Sequence, residues 1–136
     1  TGNPRQWAMR NWPPQTLIEQ DIARGKCHVC VENGEILAVF FYDFGERIDP
    51  CYDVIGEGCW ANDESYGVVH RIAAKAGSGA GKFCINWAFG RCGHLRIDTH
   101  GDNKVMQRTL EKLGFQRRGI IHVQEDNDPR IAFEKL

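Results

Sequence analysis

One stretch of this 136-residue chain constrains its fold more than any other. A strand-like run over 66–74 leads into Gly77-Ser78-Gly79-Ala80-Gly81. There Ala80, Phe83, Cys84, Trp87 and Ala88 recur at helical spacing and form an apolar stripe. Leu95, Ile97 and Thr99 then alternate with Arg96 and Asp98, the period of a strand. A helix joining two strands implies a parallel pair with a right-handed crossover.

The flanking segments extend this unit on both sides. Pro13-Pro14 opens a predicted helix over 15–24, with Leu17, Ile18 and Ile22 on one side and Gly25 as its stop. Runs 26–32 and 35–42 surround Asn33-Gly34, a strong hairpin signal. Glycine, proline and Asn-Asp punctuation makes 43–65 irregular. Asn103 caps a third helix whose stripe is Val105, Met106, Thr109, Leu110 and Leu113, and Gly114 stops it. Strands over 116–123 and 130–134 close the chain around a turn at 125–129. The expected class is α/β (α+β): a mixed, mostly antiparallel sheet with helices on both faces, in one domain spanning 1–136.

Charge and cysteine content narrow the classes of partner. A formal net charge of -1 gives no basic field for nucleic acid. No apolar run approaches membrane-spanning length. The six cysteines read as reduced thiols of a cytoplasmic protein, since a chain of this size builds a core without staples. Cys27-His28-Val29-Cys30 has knuckle-like spacing, but strand alternation turns Cys27 and Cys30 to opposite faces, and no metal site is expected.

The glycine turn carries the chemistry. Glycines admit positive φ and a close approach of backbone to ligand. Their amides, with the free N–H groups of the following helix, suit an anion, and Lys82 adds a cation. The nucleoside-triphosphate loop is excluded, because Phe83 follows Gly81-Lys82 and Ala76 holds the first glycine's place. The dinucleotide fingerprint also fails, since its third glycine falls on Lys82 or Cys84. A turn that holds nothing is the competing reading, and the turn alone does not separate the two.

The chain resembles the GNAT superfamily of N-acetyltransferases, and an uncharacterised bacterial group within it. Three blocks carry the resemblance. His70-Arg71-Ile72-Ala73-Ala74 running into Gly79-Ala80-Gly81 is similar to the family's central strand and pyrophosphate loop. Leu95 to Asn103, with Met106 and Glu111-Lys112-Leu113-Gly114-Phe115, is similar to its Asn-x-x-Ala…Glu-Lys-x-Gly-Phe segment. Gly119-Ile120-Ile121 and Pro129-Arg130-Ile131-Ala132-Phe133 match its terminal strand pair. Three features depart from the family. Ala76 stands where the loop has Gln or Arg, Leu110 stands where many members have a tyrosine, and the family's first strand and first helix have no counterpart.

The resemblance implies acetyl transfer from acetyl-CoA, without a metal, to a primary amine of a small molecule or peptide. A homodimer is compatible with it. It places the cofactor on Ile72, Ala73, Ala74, Gly77, Ser78, Gly79, Ala80, Gly81, Lys82 and Asn103. An N–H near Ile72 or Ala73 would face the thioester oxygen. Glu64, Asp63 and His70 are the candidates for the base, and His100 substitutes for the missing tyrosine as acid. Each has a plainer reading: a solvated loop carboxylate, a satisfied sheet histidine, a loop histidine, a helix cap at Asn103. Trp7, Trp12 and Trp60 are candidates for lining the acceptor pocket. The acidic tip Glu125-Asp126-Asn127-Asp128 would suit a cationic amine. Ala76 and Leu110 motivate the alternative, a non-catalytic CoA-binding or regulatory domain that keeps the fold.

Overall fold

The computed structural model describes residues 25–123 and 128–136. The helix expected over 15–24, Trp7, Trp12 and most of the acidic tip lie outside them. Strands β1 (Cys27–Glu32) and β2 (Glu35–Gly45) form the expected hairpin. Asn33 and Gly34 have φ of 52° and 80°, the two positive values that a tight primed turn requires. Then follow a 3-10 turn (Pro50–Tyr52), β3 (Tyr66–Ala74), helix α1 (Ala80–Cys92), β4 (Leu95–His100), helix α2 (Lys104–Lys112), β5 (Gln116–His122) and β6 (Pro129–Lys135).

The six strands lie in the order β1-β2-β3-β4-β6-β5. Among the described strands only β3 and β4 pair in parallel; the other neighbours are antiparallel. The last strand inserts between β4 and β5, so the carboxyl end of β4 lies beside the start of β6.

Both described helices pack on one face. Ala80, Cys84, Ile85 and Ala88 of α1, with Met106 and Leu110 of α2, meet Ala38, Phe40, Val69, Leu95, Ile97 and Phe133. Two residues expected on the apolar stripes are out in solvent: Phe83 is 63% exposed and Val105 48%. At 100° per residue, each sits about 130–150° round its helix from the centre of the buried arc. Ile85 and Gln107 occupy the buried arcs instead.

The other face carries segment 46–64, with Tyr52 and Trp60 packed on Tyr66, Val68, Ile121 and Ala132. Gly56 and Ile120 exchange backbone hydrogen bonds of 2.8 Å, which fastens the segment to edge strand β5. Glu134, fully buried, ties it again. Its Oε1 accepts from Ala61 N–H at 2.9 Å and Arg118 Nε at 2.7 Å. Its Oε2 accepts from Arg96 Nε at 3.0 Å and lies 2.6 Å from His94 Nε2. Arg96 is sandwiched between Trp60 and Tyr66, 4.2 and 4.1 Å from the ring centres. Trp60 also donates its indole N–H to Tyr52 O, so packing accounts for it.

Candidate active site

The parallel pair is short. Register holds at Gly67↔Leu95 and Val68↔Arg96, after which β3 runs on to Ala74 and β4 to His100 without pairing. The strands therefore part toward their carboxyl ends, where sheets of this kind take ligands. A bulge lies beside the gap. Phe41 opposes His70 and Val39 opposes Ala73, so Arg71 and Ile72 share the single partner Phe40. Arg71 has φ of 52°, a left-handed conformation that only a bulge or turn requires of arginine.

Beyond the bulge the edges of β3 can be assigned. Lys75 donates its N–H to Leu37 O at 2.7 Å, which directs that edge to β2. Alternation gives Ala73 the same direction and turns the N–H groups of Ile72 and Ala74 toward the gap.

The glycine turn closes over the end of β3. Gly77 and Gly79 have φ of 75° and 76°, and a Cβ at either would meet open space. Ser78 Oγ donates to Lys75 O at 2.7 Å and accepts from Ala80 N–H at 3.2 Å. The first bond of the helical ladder runs from Phe83 N–H to Gly79 O, so the N–H groups of Gly81 and Lys82 precede it. The first turn of α1 has no acidic residue and no side-chain cap. It is therefore open to an anion, and Lys82 is exposed beside it.

On the face away from the helices, His70 is held between two carboxylates. Its Nε2 lies 2.6 Å from Asp49 Oδ2, and its Nδ1 lies 3.7 Å from Asp98 Oδ1. Tyr52 donates its hydroxyl to Asp98 Oδ1 at 2.6 Å. Asp49 reaches this point as the cap of the 3-10 turn, accepting Cys51 N–H at 2.9 Å. Phe41 stacks on His70 at 5.7 Å, and the Arg71 guanidinium lies over the Phe41 ring, 4.9 Å from its centre. Burial would lower the His70 pKa, but the Asp49 hydrogen bond and the charges of Asp98 and Asp49 outweigh it and raise the value. Burial would raise Asp49, and the His70 hydrogen bond and charge bring it down instead.

The other predicted site residues are dispersed. Glu64 is exposed in the turn before β3, six residues ahead of His70. Asp63 is exposed beside it. His100 ends β4, its Nδ1 accepting Asp102 N–H at 3.1 Å and its Nε2 3.9 Å from Asp128. Asn103 caps α2, accepting Met106 N–H at 3.1 Å. Leu110 is fully buried in the helix-side core and offers nothing to the gap.

Sequence reasoning missed Asp49, Tyr52 and Asp98. Asp98 was within reach, since alternation puts it on the Arg96 face of β4, next to the strand bearing His70. Asp49 and Tyr52 come from the irregular segment, 21 and 18 residues before His70, where no periodicity predicts a contact.

Among the described residues, no three His, Cys, Asp or Glu side chains gather as a metal site, and no helix is long and apolar enough to cross a membrane. All six cysteines are free thiols. Cys84 is buried on the stripe, its pKa pushed up to about 12 by burial and by neighbouring Cys30.

No family model and no curated protein matches the chain. Solved structures do. A GNAT-family acetyltransferase from Streptococcus agalactiae superposes with a TM-score of 0.84 at 30% identity, over 97% of this chain and 78% of that one. A GNAT-family acetyltransferase from Bacillus cereus gives 0.61 at 21% identity, over 89% of this chain and 78% of that one. A Bacillus subtilis acetyltransferase in complex with CoA gives 0.64 at 15% identity, over 92% and 86%. The last two attest the fold alone. The parted strands, the bulge and the glycine turn, together with 30% identity across nearly the whole chain, establish that this protein belongs to the GNAT family of acetyltransferases.

Proposed function

We propose that the chain transfers an acetyl group from acetyl-CoA to a primary amine of a small molecule or peptide. The observation that carries this reading is the gap between β3 and β4, which opens beneath an unoccluded glycine turn. The CoA-bound relative of the same fold supports it. In this reading the pantetheine arm completes the interrupted sheet by bonding to the free edge at Ala74. The N–H of Ile72 stabilises the oxyanion that develops on the thioester carbonyl. The pyrophosphate rests on the turn from Gly77 to Lys82, where backbone amides and the helix dipole favour anions. His70 accepts the acceptor's proton, since the Asp49 hydrogen bond and the charges of Asp98 and Asp49 raise its pKa and so its basicity. His100, at the carboxyl end of β4, and Asn103, just beyond it, border the gap on its other side.

Differential scanning with acetyl-CoA and a thiol-release assay over an amine panel test this. Binding raises the melting temperature by mass action. No shift at millimolar acetyl-CoA overturns the reading. A shift without thiol release from any amine instead indicates a non-catalytic CoA-binding domain. Gly79→Val places a branched Cβ at a positive φ above the turn, so a folded variant is expected to lose the shift. Retention of the shift would remove the turn from the site.

A further inference from the structure

The surroundings of His70 contain more than a base, and this inference rests on the acetyl-transfer reading above. Asp49 accepts at 2.6 Å from Nε2, and a carboxylate can only accept, so the ring proton resides on Nε2. Nδ1 then carries the lone pair. Asp98 Oδ1 lies 3.7 Å from Nδ1, beyond hydrogen-bond reach, and is itself oriented by the Tyr52 hydroxyl. Two acceptors thus stand side by side, and among the described residues no hydrogen bond joins them. A protonated amine has the donors to satisfy both.

We propose that Asp49 is a positioning residue that holds His70 in the Nε2–H tautomer, and that His70 Nδ1 and Asp98 together form the seat for the acceptor's ammonium group. The acceptor arrives charged. Its ammonium gives one proton to Nδ1 while Asp98 balances the imidazolium that forms. The freed lone pair makes the C–N bond to the thioester carbon, and the C–S bond breaks with its electron pair leaving on sulfur. The nitrogen's second proton goes to the thiolate, and the proton on Nδ1 returns to solvent. Among the described residues, the charged and titratable groups around the ring are Asp49 from the 3-10 turn's cap, Tyr52 from that turn, Asp98 from β4 and Arg71 from β3. From β2 only the Phe41 ring faces it.

The test combines long-range proton–nitrogen NMR of the His70 ring with steady-state kinetics on an amine that wild type acetylates. Wild type is expected to show the proton on Nε2 above the histidine's pKa. Asp49→Asn keeps an oxygen to cap Cys51, so the turn is retained. It is expected to lose the tautomer preference and move the acid limb of kcat/KM to lower pH. It should also lower kcat by about 10-fold or more with the KM for acetyl-CoA unchanged, within the range general-base catalysis supplies. Asp98→Asn is expected to raise the amine KM about 10-fold, as loss of an ion-paired hydrogen bond would. A wild-type proton on Nδ1, an unmoved tautomer and pH profile in Asp49→Asn, or an unchanged amine KM in Asp98→Asn each overturn the proposal. If wild type releases no thiol with any amine, the transfer reading falls, while the tautomer and its response to Asp49→Asn still decide the positioning role.

Discussion

Glu134 exposes no surface, yet its carboxylate stays ionised. Burial would raise its pKa, but the His94 hydrogen bond, the Ala61 N–H and Arg96 lower it below the ordinary 4.5. Glu134→Gln removes the charge and leaves Arg96 buried without its counter-ion. The expected loss is about 3–5 kcal/mol in chemical denaturation, the usual cost of breaking a buried pair. A second residue-scale prediction concerns Asp49 and His70. The Asp49 pKa is depressed, so its contribution is present above the ordinary 3.8 and lost as pH falls through the folded value. The His70 pKa is raised, so its contribution is full below the ordinary 6.5 and lost as pH rises through the folded value. The destabilisation by Asp49→Asn, followed as melting temperature against pH, is expected to peak between these limits and shrink above 6.5. A loss that does not vary with pH would mean that the Asp49 charge is not coupled to His70.

At the scale of elements, segment 46–64 is the part that local pattern leaves undetermined. Its close contact with β5 depends on two glycines. A Cβ at Gly58 would fall 1.8 Å from Arg118 O, and one at Gly119 would fall 2.3 Å from Gly56 O. Gly58→Ala is therefore expected to displace the segment, cost about 1–3 kcal/mol as overpacking does, and carry Asp49 and Tyr52 away from His70. Denaturation together with the His70 ring shifts reads both effects; a wild-type tautomer in a fully stable Gly58→Ala protein would contradict it. The strands and the two described helices were legible, because alternation and helical spacing are local properties: Asn33-Gly34 set its hairpin, and Asn103 and Gly114 bounded α2. Phe83 and Val105 were misjudged because an apolar spacing shows that a stripe exists, while the centre of the buried arc depends on what packs beneath it.

For the whole molecule, the decisive feature is a sheet that comes apart in its middle. If β3 and β4 part after Val68 in solution, the amides of Ile72 and Ala74 exchange with solvent faster than that of Ala73, which faces β2. Saturating acetyl-CoA is then expected to slow Ile72 and Ala74 while leaving Ala73 unchanged in hydrogen exchange. Equal protection of all three amides in the free protein would mean that the gap is closed. By itself the sequence determined the strands, the crossover that makes β3 and β4 parallel, and the glycine turn at its head, all written in neighbouring residues. Only the tertiary structure decided where β3 and β4 part, that Arg71 bulges beside the gap, and that Asp49, Tyr52 and Asp98 meet at His70. Those outcomes depend on strand register and on groups 18 to 49 residues apart in the chain (Tyr52 to His70, and Asp49 to Asp98), distances over which no local periodicity operates.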